Sequence, residues 1–351
     1  MATFGIATLL ATLGSLASAA PCVEVTLTGT QGGPPIFNGQ AGAGTLVRYG
    51  DDAKNCSDVM LQFDAGRGNL QQLSKLKVPA GKIKAVFSTH IRSDHTDGLA
   101  DLIQIRWHFG SAGPEADLVC HSDVKAHAGH VMSCAKLTAH LDDAYIASGE
   151  IAQHLAENGK RLPGGPADLL NVKTFDGTVK PQEVWRSGDV VVTAVASRHV
   201  AGHASYRVDT PAGNVVIACD TGNDTPKPPR ANSTSASIEA LAQGADIVFH
   251  STIHPVMGPN KDSGFPPPVF FCQATASDLG AMSERAGVKH LMLTHLIPLL
   301  GTKRQASTKY QAARSAKWIT QTQLQALDLQ ATLLSAPTSQ PCACHNNNQP
   351  K

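Results

Sequence analysis

Charge and aromatic side chains are both scarce in this 351-residue chain: Asp, Glu, Lys and Arg make up 16% of it and Phe, Trp and Tyr 5%. Hydrophobic residues reach 42%, enough to bury a large core, so the chain is not a disordered polyelectrolyte. An excess of positive charge is missing as well. The 29 Lys and Arg against 28 Asp and Glu give a formal net charge of +1. Binding to a nucleic-acid backbone needs clustered cations, so no nucleic-acid partner is expected. Beyond the first twenty residues no apolar run is long enough to span a bilayer. Several enzyme signatures are lacking too. No Gly-x-Gly-x-x-Gly opens a helix, no Gly-Lys-Ser or Gly-Lys-Thr loop can cradle phosphates, and no Gly-x-Ser-x-Gly elbow presents a nucleophile. Dinucleotide chemistry, nucleotide hydrolysis on a phosphate loop and serine hydrolysis are thereby disfavoured.

What is present begins with an uncharged segment, Met1 to Ala20, that runs through Ile6, Leu9, Leu10, Leu13 and Leu16 and ends in Ala17-Ser18-Ala19. It reads as a secretory leader cleaved near Ala19/Ala20, which implies export to a periplasmic or extracellular space. Eight cysteines are compatible with disulfides there, although their pairing cannot be read from the sequence. The Cys342-x-Cys344-His345 cluster lies in a tail rich in Gln, Asn and Pro where no fourth metal ligand is evident.

Short β-branched runs punctuated by Gly, Pro and Asn predict strands over Val23 to Thr28, Gly44 to Tyr49, Val59 to Phe63 and Lys84 to Thr89. A second strand-rich block follows over Val190 to Ala196, Ala204 to Asp209, Asn214 to Cys219, Asp246 to His250 and His290 to Thr294. Helices are predicted around Ile238 to Gln243 and Ala274 to Ala286. Between the two blocks, residues 108–185 read as a helical insertion, with helices around Ser122 to Ala135 and Asp142 to Glu157. The chain thus divides into a leader over 1–20, one domain over 21–320 and a variable, partly disordered tail over 321–351.

Chemistry concentrates in His90-Ile91-Arg92-Ser93-Asp94-His95, placed directly after an apolar strand that can hold imidazoles and a carboxylate rigidly. His199, Asp220, His250 and His295 each stand at or just past the end of another apolar run. Imidazoles and carboxylates at strand ends suit zinc, whose catalytic sites combine His and Asp and keep one position for water.

With these motifs the chain resembles the metallo-β-lactamase superfamily, in its ribonuclease Z and arylsulfatase-like branch, over about residues 23–300. The matching segments, in order, are Leu27 to Pro34, Phe63-Asp64-Ala65-Gly66-Arg67-Gly68, Ser88 to Leu99, Ala218-Cys219-Asp220-Thr221-Gly222, Ala245 to His250 and Leu291-Met292-Leu293-Thr294-His295. The resemblance implies an α+β fold, a four-layer αββα sandwich with a metal cleft along one edge. It also implies hydrolysis of an ester-like bond by a zinc-activated water, with Mn2+ or Fe2+ as other candidate ions. Phosphodiesters, sulfate esters and lactones are the substrate classes it suggests, that is, a small and anionic ester.

Carried over residue by residue, the resemblance gives a first cation site to His90 and His199 and a second to Asp94, His95 and His295, with Asp220 between them. Asp94 and His250 are also candidate catalytic groups, the first orienting water and the second assisting proton transfer. In ribonuclease Z relatives the histidine matching His250 is followed by Glu, whereas here Ser251 follows, which weakens transfer-RNA processing as the function. Arg92 occupies the place of the remaining first-site histidine. A guanidinium has no lone pair to offer a metal and stays charged, so the first site keeps three candidate ligands and the second four. Tighter occupancy of the second follows, and Arg92 becomes a candidate catalytic cation for an anionic substrate. A non-catalytic exported metal- or ligand-binding protein on the same fold is the alternative. Asp64 is expected behind the ligands as a hydrogen-bond acceptor. His254 is a candidate cleft residue and His203 is unassigned, while His108, His121, His127, His130, His140 and His154 read as ordinary surface or packing residues.

Overall fold

The computed structural model describes residues 20–36, 39–110, 116–158, 170–225, 231–253 and 272–297, together with the backbone of 331–335. The expected leader up to residue 19, His254 and the Cys342/Cys344/His345 cluster lie outside these residues.

Two sheets carry the molecule. In the first, β1 (Pro21–Gly29), β2 (Gly44–Asp51) and β3 (Val59–Phe63) run antiparallel, and β4 (Ile83–Phe87), β5 (Ala116–His121) and β8 (Leu170–Phe175) continue the sheet in parallel. The second repeats the plan: β9 (Gln182–Ser187), β10 (Val190–Ala196), β11 (Ala204–Thr210) and β12 (Gly213–Cys219) are antiparallel, and β13 (Ile247–Ile253) and β14 (His290–Ile297) add in parallel.

Alternation along the strands decides which face each side chain covers. Val23, Val25, Leu27, Leu61, Phe63 and Phe87 of the first sheet meet Val192, Ala194, Tyr206, Val208, Ile217 and Phe249 of the second in one buried cluster. Phe63 stacks on Phe87 with centroids 4.6 Å apart, and Tyr206 packs across both while its hydroxyl donates to the Ser88 carbonyl at 2.6 Å. That bond ties the second sheet to the residue just ahead of the histidine motif.

The strands' other faces are covered by helices. Leu46, Met60, Ile83, Val86 and Leu118 pack under α1 (Asn69–Lys75), α3 (Leu99–Gly110), α4 (Cys134–Asp142) and α5 (Glu150–Asn158) through Leu73, Leu102, Ile103, Trp107 and Ile151. Val216, Ala218, Val248 and Leu293 pack under α6 (Ala236–Leu241) and a helix here called α7 (Ala276–Arg285) through Ile238, Leu241, Leu279 and Met282. The result is the αββα sandwich, with apolar layers on both sides of each sheet.

Two expectations need correction. Residues 108–185 are not a helical insertion as a whole, because β5, β8 and the first part of β9 lie within them and belong to the two sheets. The helix expected over Ser122 to Ala135 is instead a small hairpin, β6 (Val124–Lys125) with β7 (Val131–Met132), before α4. Ala128 and Gly129 take φ of 60° and 82°, a left-handed reversal that a helix cannot contain. Within the expected tail, β15 (Ala331–Ser335) pairs antiparallel with β1 at the edge of the first sheet. Two cysteine pairs are bonded, Cys22 with Cys56 and Cys120 with Cys134, and they tie β1 to the segment before β3 and β5 to α4.

Candidate metal centre

Strand ends at one edge of the sandwich deliver the chemistry. After β4 the chain passes through His90 and Arg92 into the single turn α2 (Ser93–Thr96), which carries Asp94 and His95. His199 follows β10, Asp220 follows β12, and His295 sits inside β14. Register irregularities re-aim two of these groups: Ala218 is passed over between Ile217 and Cys219, and His295 is the extra residue opposite β13. Asp64, Cys219 and His295 take positive φ, 53°, 42° and 47°, so three non-glycine residues in the left-handed region surround one centre.

Asp94, His95, Asp220 and His295 converge on one point and are all at most 3% exposed. His95 Nε2 lies 3.5 Å from Asp94 Oδ2 and 3.2 Å from Asp220 Oδ2, while His295 lies 3.1 Å from an oxygen of each carboxylate. Zinc bonds of about 2.0–2.2 Å in a tetrahedron put neighbouring ligand atoms about 3.4 Å apart, so this spacing suits a cation. The burial of unsatisfied atoms points the same way. Asp94 Oδ1, His95 Nε2, Asp220 Oδ1 and His295 Nδ1 are enclosed and lack any hydrogen-bond partner, an arrangement that costs free energy unless a ligand completes it.

The outer partners fix which nitrogen faces the centre. His95 Nδ1 is 2.9 Å from Asp64 Oδ2, and Asp64 in turn accepts from the Thr89 backbone N–H and hydroxyl, each at 2.8 Å. With its proton given to Asp64, the Thr89 oxygen can accept from His90 Nδ1, 3.1 Å away. One carboxylate therefore orients His95 directly and His90 through Thr89. Asp64 stands where the sequence placed it; Thr89 was missed, and its only signal was a hydroxyl beside the histidine motif.

Burial opposes the charged forms throughout, yet the mixture of signs overcomes it in part. It lowers His90 well below the usual histidine range, helped by the neighbouring His95. It works against a proton on His95 too, but Asp64 and the other anionic neighbours outweigh it and hold His95 well above that range. Asp220 is held well below the usual carboxylate range because His295, His199 and His95 more than offset burial, and the hydrogen bond with His295 does the same for Asp94. A cation bound here would be held by two carboxylates already kept in their charged forms, and His95 would have to give up a proton to join them.

The first site is looser and contested. His90, His199 and Asp220 can share an ion, with His199 Nε2 3.6 Å from Asp220 Oδ2. His199 Nδ1 faces the Cys272 carbonyl at 3.0 Å and must carry the hydrogen, which leaves Nε2 as its lone-pair nitrogen. That nitrogen lies 3.2 Å from Arg92 Nη1, which can only donate. Arg92 thus occupies the lone pair a cation would use, while its side chain remains exposed at the mouth.

His250 is not among these ligands. It is 1% exposed, its Nδ1 donates to the Ser251 carbonyl at 2.6 Å, and burial pushes its pKa down to about 4. Ser251 Oγ is 2.8 Å from both the Cys219 carbonyl and Gln273 Oε1, so it supports β12 and the 272–274 segment. His203, unassigned from sequence, is buried beside the first site, its ring centroid 5.0 Å from that of His90, with Nδ1 on Ser197 Oγ at 2.7 Å.

The fold and this centre define a metal-binding αββα protein. No protein-family model matches the chain. Among curated proteins it is similar to the ribonuclease Z of Mycobacterium marinum, 28% identical over 282 residues that cover 79% of this chain and 88% of the relative. It is similar also to the ribonuclease Z of Mycobacterium bovis, 27% identical over 296 residues that cover 83% and 92%. Among solved structures, the short form of human tRNase Z superposes with a TM-score of 0.54 at 17% identity over 78% of this chain and 92% of that one. A metallo-β-lactamase-fold protein of Bacillus subtilis does so with 0.51 at 20% identity over 78% and 86%. The chain has the metallo-β-lactamase fold, and its sequence is similar to those of ribonuclease Z proteins. The relatives' name is that of RNA-cleaving enzymes, which runs against the expectation of no nucleic-acid partner.

Proposed function

We propose that this protein hydrolyses small phosphodiesters with a cation held by Asp94, His95, Asp220 and His295 and with Arg92 serving in place of a firmly held first-site ion. The observation that carries this reading is the 3.2 Å contact between Arg92 Nη1 and His199 Nε2. Zinc, or manganese or iron in its place, would supply the activated water and neutralise charge on the reacting oxygen. The protein's own groups do the rest. Asp64 locks His95, and Asp94 is placed to orient water at the centre's edge. Arg92, exposed at the mouth and pivoting on His199, offers a planar pair of donors to a nonbridging phosphate oxygen.

The ribonuclease name of the relatives supports a phosphodiester over a sulfate ester or lactone. A net charge of +1 supports a short substrate over a long polyanion. Two disulfides fit export, the compartment the leader-like first segment suggests.

The test pairs metal counting with a substrate screen on the untagged protein, comparing a bis-aryl phosphodiester, a dinucleotide, an aryl sulfate and a lactone. Zinc-dependent turnover of the phosphodiester or dinucleotide is expected, and Arg92→His is expected to add bound zinc at the first site. If Arg92→His leaves the zinc count unchanged, Arg92 does not stand in the first site's place. Zinc binding without turnover of any of the four would instead make this a non-catalytic metal-binding protein.

A further inference from the structure

Away from this centre, on the outer face of the first sheet, a second set of metal-ligating side chains meets. His108 comes from the last turn of α3, and Glu150 and His154 lie one turn apart on α5. His108 Nε2 is 3.3 Å and His154 Nε2 3.4 Å from the same oxygen, Glu150 Oε1. The two rings stand at 90° with centroids 5.2 Å apart, and Trp107 sits edge-on to His108 at 5.1 Å, limiting where that ring can turn. Two imidazole nitrogens aimed at one carboxylate oxygen, at the spacing of about 3.4 Å that a tetrahedral zinc shell requires, describe three corners of such a shell.

We infer that His108, Glu150 and His154 form an auxiliary site for a divalent transition cation of the zinc class, separate from the catalytic centre. Two imidazoles and one carboxylate favour zinc, copper or nickel over magnesium or calcium, which take all-oxygen shells. The fourth corner faces a cavity of about 600 Å³ lined by Leu70, Asp101, Gln104, Ile105 and Phe109, so water can fill it. Side-chain exposures of 17%, 57% and 37% for His108, Glu150 and His154 leave the ligands reachable from solvent. Such an ion would clamp α5 onto α3. Within that layer α5 also contributes Ile151, which is fully buried. Spacing in sequence gives no hint of this site, because His108 and His154 come from separate helices that only the fold brings together.

The experiment compares full-length, untagged wild-type protein with the His108→Asn/His154→Asn double variant and with Glu150→Gln, each titrated with zinc alone. Wild type is expected to bind one more zinc per chain than the double variant. It should also gain thermal stability on zinc addition beyond what saturation of the catalytic centre gives, while magnesium has no such effect. Glu150→Gln should bind the extra zinc more weakly, with unchanged circular dichroism showing that the fold is kept. Hydrolysis should be the same in all three, which keeps this result independent of the catalytic reading. Equal zinc counts in wild type and double variant would overturn the site and leave a plain Glu150 ion-pair cluster. Loss of the whole zinc complement in the double variant would overturn its separateness.

Discussion

The two candidate cation sites share Asp220 and lie side by side, yet they differ in how completely the chain commits to them. In the second, the ligands come from the turn α2, the end of β12 and the bulge in β14, and His95 is fixed from behind by a buried carboxylate. In the first, His90 is oriented only through a hydroxyl, His199 through a backbone carbonyl, and a guanidinium already holds the coordinating nitrogen of His199. On the proposed reading, a guanidinium in the place of one imidazole would leave the scaffold intact and turn half of a two-ion centre into an anion-binding mouth. A cation on a side chain cannot lower the pKa of water as a metal does, but it can hold charge that develops on an ester.

The comparison breaks most completely at the shared residue. Asp220→Asn removes the carboxylate between the sites and should cut hydrolysis on the order of a thousandfold or more, with loss of tightly held zinc from the centre, read by metal counting after gel filtration. Arg92→Ala should leave the second site's zinc in place and lower kcat/KM for an anionic ester by roughly a hundredfold. Arg92→Lys should recover only part, since it keeps the charge and loses the fork. If Arg92→Ala is as active as wild type, the guanidinium has no role in catalysis. A milder effect is expected of Asp64→Asn, which weakens the support of His95 and should reduce zinc affinity about 10–100-fold, measured by competition with a chelator.

The smallest effect concerns His250, buried and neutral with a pKa near 4 against 6.5 for a free side chain. For a base held low in the fold, the unfolded chain binds the extra proton. Stability is therefore complete above about pH 6.5 and falls as pH drops toward 4. Over that window His250 contributes on the order of 3 kcal/mol of acid sensitivity, about 1.4 kcal/mol per pH unit. Denaturant melts of His250→Asn at neutral and acid pH should show a slope shallower by that amount.

Much of the scaffold was legible because strands announce themselves by short β-branched runs. Val190 to Ala196 was read with the ends the structure gives it, and most other strands differ by one to three residues. The stretch from 108 to 185 was not legible. β5 is a short, largely buried parallel strand and β8 a half-exposed strand at the sheet's edge, both beside helices, and such short runs carry no period that separates them from helix. The reversal at Ala128 and Gly129 likewise turned an apparent helix into a hairpin.

By itself, the sequence determined the sandwich class, the motif residues offered to a metal and the substitution of guanidinium for imidazole, since these depend on side-chain chemistry and local order along the chain. Tertiary structure alone decided that the ligand atoms of four of those groups lie close enough together to share one ion, that Arg92 lands on His199, that His250 stays behind the centre, and that His108 meets Glu150 and His154. Each of these is a contact between segments far apart in sequence, set by bulges and sheet register to within tenths of an ångström, and a linear pattern does not encode such distances.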